Sequence, residues 1–294
     1  SRYAALAAGV GAVAGLLGAL VRGRGAARRT AGPMALPAPA RRDRHDRDLR
    51  ADGPGTLELH GVTVVRDGAP VLRGVDLVVP GGSRAAVVGR SGSGKSLLAA
   101  VAGRLTDPDE GSVLLDGVPL HRLGRHQLRA EVGYAFARPA LFGATVADAL
   151  AFGAHTPTGP ALRAAARAAG ADGFVRRLPD GYATPLAEAP LSGGELQRLG
   201  LARAFAHAGR LLILDDATSS LDTLTEREVE RALAREVRPG TRLVIAHRLS
   251  SAARADLVIW LDEGRVRATG PHAQLWRDPE YRAVFAAAAD EGAP

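Results

Sequence analysis

The sequence predicts an α/β domain with a mainly parallel core sheet, and three observations support this fold class. Across residues 56–289, short Val- and Leu-rich runs alternate with Ala- and Arg-rich stretches, which is typical of strands alternating with helices over a parallel sheet. The apolar run 85–88 enters a glycine-rich segment, and residues 97–105 leave it with helical character. Alternation of apolar and polar residues over 57–64 predicts an antiparallel edge before that segment.

The charge of the chain is unevenly distributed. The net charge of +7 over 294 residues lies entirely within residues 1–50, because the bases and acids of the remaining residues balance. A neutral folded body argues against a nucleic-acid groove, which requires a basic face. The chain has no cysteine, which excludes disulfides and thiolate metal sites, and its eight histidines show no metal-ligand spacing.

The first 29 residues have the pattern of a membrane helix followed by a basic cluster. Residues 4–21 carry no charge, and Arg22, Arg24, Arg28 and Arg29 come directly after them. About 18 apolar residues is the lower limit for crossing a bilayer, and arginines on one side predict that the chain continues in the cytoplasm. A secretory signal and a buried soluble helix are the alternatives, although a signal carries its charge before the apolar stretch. We expect 1–29 to end a transmembrane domain cut from a longer chain.

Composition also predicts the other boundaries. Residues 30–55 are rich in proline and mixed charge without apolar periodicity, which predicts a solvated linker. The α/β domain is expected over 56–289, and residues 290–294 are expected to form a tail.

The glycine-rich segment fits G-x-x-x-x-G-K-S at every fixed position, and Lys95 within it is the sole lysine of the chain. Backbone N–H groups at such a strand-to-helix turn bind phosphate, and a compact ammonium suits phosphates that the backbone already surrounds. The Ser96 hydroxyl is the expected Mg²⁺ ligand of this loop. The residues predicted to bind phosphate are Gly89, Arg90, Ser91, Gly92, Ser93, Gly94, Lys95, Ser96 and Leu97.

Four segments nearer the carboxyl terminus carry further candidate residues. Leu191-Ser192-Gly193-Gly194-Glu195 opens a helical stretch; an apolar run ends in Asp215-Asp216; Ser219-Ser220-Leu221-Asp222 comes next; and a second apolar run ends in His247. Each segment alone has a structural explanation, as a helix cap, a turn or a structural histidine.

Together, the loop and these segments resemble the ATP-binding cassette (ABC) ATPases over residues 56–285. The resemblance implies the P-loop ABC ATPase fold with a helical subdomain carrying the signature motif, preceded here by one apolar helix. It implies ATP and Mg²⁺ as cofactors, with Asp215 and Ser96 on the metal, Asp216 orienting water and His247 at the γ-phosphate. It also implies that the signature (Ser192, Gly193, Gly194 and Glu195) faces the ATP of a second cassette, and that Asp222 belongs to the D-loop between the cassettes.

The motifs at 134–142, 178–184 and 218–222 resemble exporters with fused membrane helices, but three positions depart from that pattern. Asp216 stands where these exporters carry a glutamate that polarises water, and it is shorter by one methylene, about 1.5 Å. Arg66 stands where they carry an aromatic ring on adenine, and Ala137 where they carry the Q-loop glutamine. The segment 188–190 before the signature is also about two residues short, whereas the phosphate loop and signature are intact.

This asymmetry resembles one half of a heterodimeric exporter, whose own site is attenuated and whose signature completes the partner's active site. We therefore expect an ATPase that couples cassette dimerisation to substrate efflux, lying in the cell membrane with its ATP-binding domain on the cytoplasmic side. A homodimeric exporter with a fully active site is one alternative, and a soluble P-loop ATPase is another. A DNA-maintenance ATPase is disfavoured because 97 residues between Lys95 and Ser192 leave no room for a coiled-coil arm.

Overall fold

The computed structural model describes residues 46–153, 155–219, 221, 223–236 and 240–290. The predicted membrane helix and most of the predicted linker therefore lie outside the described residues, as do Asp222 and residues 291–294. No helix within the described ranges combines the length and the apolar character that a membrane crossing needs.

Two sheets form the body of the domain. A four-stranded antiparallel sheet has the order β2-β1-β4-β5, and a six-stranded sheet has the order β10-β9-β3-β8-β7-β6 with β10 as its antiparallel edge. The other five strands of the larger sheet are parallel. The strands are β1 (Leu57–Arg66), β2 (Ala69–Val79), β3 (Arg84–Val88), β4 (Glu110–Leu115), β5 (Val118–Pro119), β6 (Val132–Phe136), β7 (Leu211–Asp215), β8 (Thr241–Ile245), β9 (Leu257–Asp262) and β10 (Arg265–Gly270).

The helices divide between the larger sheet and a separate helical region. The α-helices are α1 (Lys95–Ala102), α2 (Arg125–Glu131), α3 (Val146–Ala151), α4 (Gly159–Ala168), α5 (Asp172–Val175), α6 (Gly193–Ala206), α7 (Thr223–Glu236), α8 (Leu249–Ala253), α9 (His272–Leu275) and α10 (Pro279–Asp290). Helices α3 to α6 share an apolar core with one face of β7, which confirms the predicted helical subdomain. The α/β fold with a mainly parallel core is likewise confirmed, and the antiparallel strand predicted over 57–64 is β1 of the separate four-stranded sheet.

A second apolar core lies between the two sheets and surrounds α1. Leu98 and Ala99 of this helix are fully buried there against strand residues such as Leu57 and Ile213. Four consecutive residues of β3, 85–88, are inaccessible to solvent. This is why the sequence of β3 is an unbroken apolar run rather than an alternating one.

The end of the predicted linker departs from the expectation of a solvated segment. Leu49 is 7% exposed and belongs to the core around α1. Arg122 pairs with Asp46, and the backbone N–H of Arg47 donates to the carbonyl of Arg122 at 3.4 Å. Leu49 therefore anchors this part of the predicted linker to the cassette, while its neighbours at 46–48 and 50–52 remain exposed.

A buried ion pair fixes the chain just before β1. Asp116 Oδ1 accepts hydrogen bonds from the N–H groups of Gly55 and Thr56, both at 2.8 Å. Its Oδ2 accepts from Arg210 Nη1 at 2.8 Å, and the Arg210 and Asp116 side chains are 6% and 9% exposed. Glu131 Oε2 lies 3.4 Å from Arg210 Nε, and Arg210 also donates to the carbonyl of Arg50. Four separate parts of the sequence meet at this pair.

Asp116→Asn is expected to lower the free energy of unfolding by about 3 kcal/mol, because it leaves the Arg210 guanidinium buried without its main counter-ion. Asparagine keeps an acceptor for the two backbone N–H groups and tolerates the left-handed backbone of Asp116, whose φ is 49°. The matched control is Asp67→Asn, at an exposed aspartate with φ of 50°. Urea unfolding measures both, and equal losses would contradict the prediction.

Candidate functional site

The phosphate loop connects β3 to α1, and its lysine is turned onto the loop itself. Lys95 is 6% exposed, and its Nζ donates to the carbonyls of Gly89 and Arg90 at 2.8 and 2.9 Å. A Cβ at Gly89 would collide with the carbonyl of Leu261 and lie 2.6 Å from Ser93 Oγ, so only glycine fits. The ammonium is thus held by two backbone carbonyls at the start of the loop.

The start of α1 offers its N–H groups without a side-chain cap. Gly94 precedes the helix with φ of 99° and makes no capping hydrogen bond, and Gly92 also has a positive φ, of 77°. The first N–H groups of a helix have no partner within the helix and bind anions well. The predicted phosphate-binding residues 89–97 thus form the turn between β3 and α1 and the first turn of α1, and their role in phosphate binding stays a prediction.

Asp215 is held by two hydroxyl groups at the carboxyl end of β7. Ser96 Oγ donates to its Oδ1 and the Tyr134 hydroxyl donates to its Oδ2, each at 3.0 Å. Burial first, and then the charge of Asp215, raise the pKa of Tyr134. The phenol therefore remains a donor at physiological pH. The two predicted magnesium ligands are brought together, and Tyr134 is a partner that the motifs alone did not assign to the site.

Asp216 and His247 also meet, because they lie just beyond the adjacent strands β7 and β8. His247 Nε2 lies 2.8 Å from Asp216 Oδ1, which is within ion-pair distance. The contact does not have hydrogen-bond geometry. Asp216 has a left-handed backbone with φ of 54°. Its carbonyl accepts from Ser219 N at 3.1 Å and from Ser219 Oγ at 2.8 Å.

The signature segment forms the start of α6. Ser192 is the N-cap: its Oγ accepts from Glu195 N at 3.3 Å, and Glu195 Oε2 accepts from Ser192 N at 2.8 Å. Glu195 Oε2 also accepts from Ser192 Oγ at 2.8 Å, and the two hydrogen bonds that Ser192 donates to this carboxylate lower the pKa of Glu195. A methyl group at Gly193 would meet nothing within 4 Å, so this turn presents open backbone to its surroundings.

A cavity of about 630 Å³ joins the signature turn to the two catalytic candidates. The residues around it are Ala137, Arg138, Gly193, Gly194, Gln197, Asp216, Ser219 and His247.

Arg66 does not line this cavity and lies at the end of β1. There its Nη2 donates to Thr106 Oγ1 at 2.9 Å and its Nη1 donates to the carbonyl of Val65 at 3.0 Å.

A buried carboxylate links the segment after Asp216 to the segment after His247. Arg248 donates to Glu226 Oε2 and to the carbonyl of Ser219, both at 3.0 Å, and Ser251 Oγ donates to Glu226 Oε1 at 2.7 Å. Sequence reasoning missed Glu226. The available signal was its place on the buried face of α7, three and seven residues before the buried Val229 and Leu233.

An aromatic groove of about 700 Å³ lies beside this site, between the sheet and the helical subdomain. Phe142 and Phe152 line it with both side chains 57% exposed, and their ring centroids are 5.6 Å apart. Arg129, Arg138 and Arg203 line it as well, and none of the lining residues that the structure describes is acidic. The two neighbouring rings give this groove an exposed apolar patch.

Comparison with known proteins identifies the family. The family model described as ABC transporter matches residues 72–219, half of the chain. The chain belongs to the ABC transporter family. It is 64% identical to the ABC transporter ATP-binding protein RamA of Streptomyces coelicolor over 97% of its own length and 44% of that protein. It is 43% identical to an ATP-dependent lipid A-core flippase of Chromohalobacter salexigens, over 80% of this chain and 41% of the flippase.

A solved structure of a bacterial Atm1-family ABC exporter with ATP bound also matches this ABC transporter chain, with a TM-score of 0.74 and 34% identity. The match covers 88% of this chain and 44% of the exporter. The chain thus spans less than half the length of these relatives, and it carries the ATP-binding ATPase domain of an ABC transporter. Family membership removes the alternative of a P-loop ATPase unrelated to transport.

Tyr134→Phe is expected to raise the Mg²⁺ concentration needed for half-maximal ATP binding about 10-fold. The reason is that a residue that orients a metal ligand typically contributes about that much to metal affinity. The ring and its packing stay, and only the hydrogen bond to Asp215 is lost. The matched control is Tyr182→Phe, which removes a 2.7 Å hydrogen bond from a tyrosine to Asp172, outside the site. Magnesium titrations of ATP binding measure both variants. An unchanged magnesium dependence in Tyr134→Phe would contradict the role of Tyr134.

Proposed function

We propose that this cassette binds Mg²⁺ with its ATP and hydrolyses the nucleotide to drive the efflux of a substrate across the cell membrane, as one half of a dimeric exporter. The observation that carries the proposal is the meeting of Ser96 and Asp215, with 3.0 Å between their oxygens, at the first turn of the helix after the phosphate loop. The resemblance to solved and curated exporters supports the transport direction.

The donor set fits Mg²⁺. The Ser96 hydroxyl and the Asp215 carboxylate are hard oxygen ligands, and Mg²⁺ typically takes one or two such groups together with phosphate oxygens and water. The ion supplies charge neutralisation to the phosphates when it is bound. Asp215 is held in place by Tyr134, so the carboxylate keeps its orientation.

The remaining candidate residues each have a role in the hydrolysis. When ATP binds, Lys95 Nζ leaves the carbonyls of Gly89 and Arg90 and donates to the phosphates instead. His247 contacts the γ-phosphate. Asp216 orients the attacking water, which requires hydrogen-bond reach. Arg66 holds its guanidinium near Thr106, and its planar surface can stack on a base.

We propose further that the site on this chain is attenuated and that the partner carries the more active one. Asp216 is short by one methylene, and its Oδ1 faces His247 and is shielded from solvent. A misplacement of about 1 Å can lower a rate about 10²-fold. The signature, by contrast, has an intact cap and an open first turn, which supports its use on the ATP bound by the partner. The residues assigned to that partner site are Ser192, Gly193, Gly194, Glu195 and, in the D-loop, Asp222.

The aromatic groove supports an association with a membrane domain. Its exposed Phe142 and Phe152 would be buried by an intracellular segment of that domain. We propose that residues 1–29 end the membrane domain, 30–55 link it to the cassette of 56–289, and the cassette lies on the cytoplasmic side of the cell membrane. The neutral charge of residues 51–294 gives no support to nucleic acid as a partner.

Lys95→Ala is expected to weaken ATP binding at least 10-fold, because a charge-assisted contact contributes about 1.5 to 3 kcal/mol. The control is Arg231→Ala, which removes an exposed positive charge on α7. Titration with a fluorescent ATP analogue gives both affinities, and thermal unfolding verifies that the loop remains folded. Unchanged affinity in Lys95→Ala would refute the assignment of the loop.

Asp216→Glu is expected to raise hydrolysis at this chain's phosphate loop, since glutamate restores the missing reach. Ser192→Ala is expected to lower turnover mainly on the partner's ATP. Steady-state ATPase rates of the reconstituted complex, with each variant and the double variant, separate the two sites. If this chain alone, as a homodimer, hydrolyses ATP at the rate of the complex with Asp216 in place, the attenuated-site proposal is wrong and the homodimeric exporter replaces it.

A further inference from the structure

Gln197 of α6 joins two segments that meet at the cavity. Its side chain is 4% exposed, and Nε2 donates to the carbonyls of Ala137 and Asp216, both at 3.3 Å. Ala137 lies just after β6, and Asp216 lies just after β7. A single amide on the signature helix therefore ties together the ends of two neighbouring strands.

The orientation of this amide is set by its two acceptors. Both contacts are carbonyl oxygens, so only the NH₂ end of the amide can face them. The other end, Oε1, is buried without a hydrogen-bond partner among the described residues. Burying an unpaired polar atom costs free energy that an apolar side chain of the same size would avoid. The two hydrogen bonds made by Nε2 offset this cost, and they explain why an amide is placed here.

Asp216 is the more consequential of the two acceptors. Its left-handed backbone, with φ of 54°, is unusual for a residue with a side chain, and it decides where the carboxylate points. Ser219 fixes the same carbonyl from one side, and Gln197 fixes it from the helix. Because the aspartate lacks a methylene, its reach depends on this backbone conformation more than the reach of a glutamate would.

Ala137 is the other acceptor, and its own side chain cannot make a polar contact. Its neighbours Phe136 and Arg138 line the aromatic groove, while Ala137 and Arg138 line the cavity with Asp216. Because Gln197 Nε2 donates to the carbonyls of both Ala137 and Asp216, it connects the groove-lining loop to the segment of the proposed catalytic carboxylate.

We propose that Gln197 is a positioning residue for ATP hydrolysis: it holds the Asp216 backbone and the 136–138 loop in the one arrangement in which the short carboxylate can orient water. The proposal rests on the proposed hydrolytic function of this site. Gln197 acts through Asp216 and does not contact the nucleotide, so its removal affects turnover and leaves ATP affinity intact.

The test is a comparison of kcat and KM for ATP in a reconstituted complex whose partner carries an inactivated phosphate loop, so that the measured turnover comes from this chain's own site and not from the site that this chain's signature completes. Gln197→Met keeps the length and burial of the side chain but loses both donors, and we expect kcat to fall about 10-fold with KM unchanged, as for an interaction that matters only in the transition state. The second variant, Gln197→Asn, keeps an amide that is too short to reach both carbonyls, and it is expected to behave alike. The control is Gln274→Met, at an exposed glutamine of α9. Thermal unfolding shows which variants are folded.

The decisive arm repeats Gln197→Met in an Asp216→Asn background. If Gln197 acts through the carboxylate, Asp216→Asn lowers kcat and the second substitution lowers it no further. Two outcomes overturn the inference and leave the proposed function standing. In the first, Gln197→Met lowers kcat equally in both backgrounds. In the second, Asp216→Asn lowers kcat, but neither Gln197→Met nor Gln197→Asn does. An Asp216→Asn variant with unchanged kcat overturns the hydrolytic role of this site together with the inference.

Discussion

The hydrogen bond between Ser96 and Asp215 is the interaction on which the organisation of the site depends. It connects the first turn of α1 to the carboxyl end of β7, although 119 residues separate the two in sequence. It forms because β3, β8 and β7 lie side by side and parallel, so that the residues just after each strand reach the same edge of the sheet. The same alignment brings His247, after β8, to Asp216, after β7.

Two kinds of polar contact then surround this edge. Exposed groups such as Ser96 and the signature turn stay accessible to ligands, whereas buried groups such as Gln197 and Glu226 hold the backbone that carries the catalytic candidates. Groups of the second kind are costly to bury unless they are paired. Gln197 meets this with both hydrogen bonds of its Nε2, while its Oε1 has no partner among the described residues. Glu226, for example, accepts from Arg248 and Ser251 with both of its oxygens.

Motif chemistry predicted the fold and the phosphate loop from sequence, because a glycine-rich turn, an apolar strand and an adjoining helix are local features. The partners Tyr134, Gln197 and Glu226 were not predicted, since each contact to the site connects residues at least 19 positions apart and depends on tertiary packing. Leu49 was missed for a different reason: a single apolar residue within a charged run has no period to detect. The heterodimer and the attenuated site remain predictions.

The burial of Lys95 against the carbonyls of Gly89 and Arg90 has a practical consequence for protein chemistry. Every other basic side chain in the sequence is an arginine or a histidine, so amine-reactive reagents have one side-chain target and it lies within the phosphate loop. An acylating reagent can reach this amine only when the loop releases it. The rate at which Lys95 is labelled therefore measures the opening of the phosphate loop, and no engineered probe is needed.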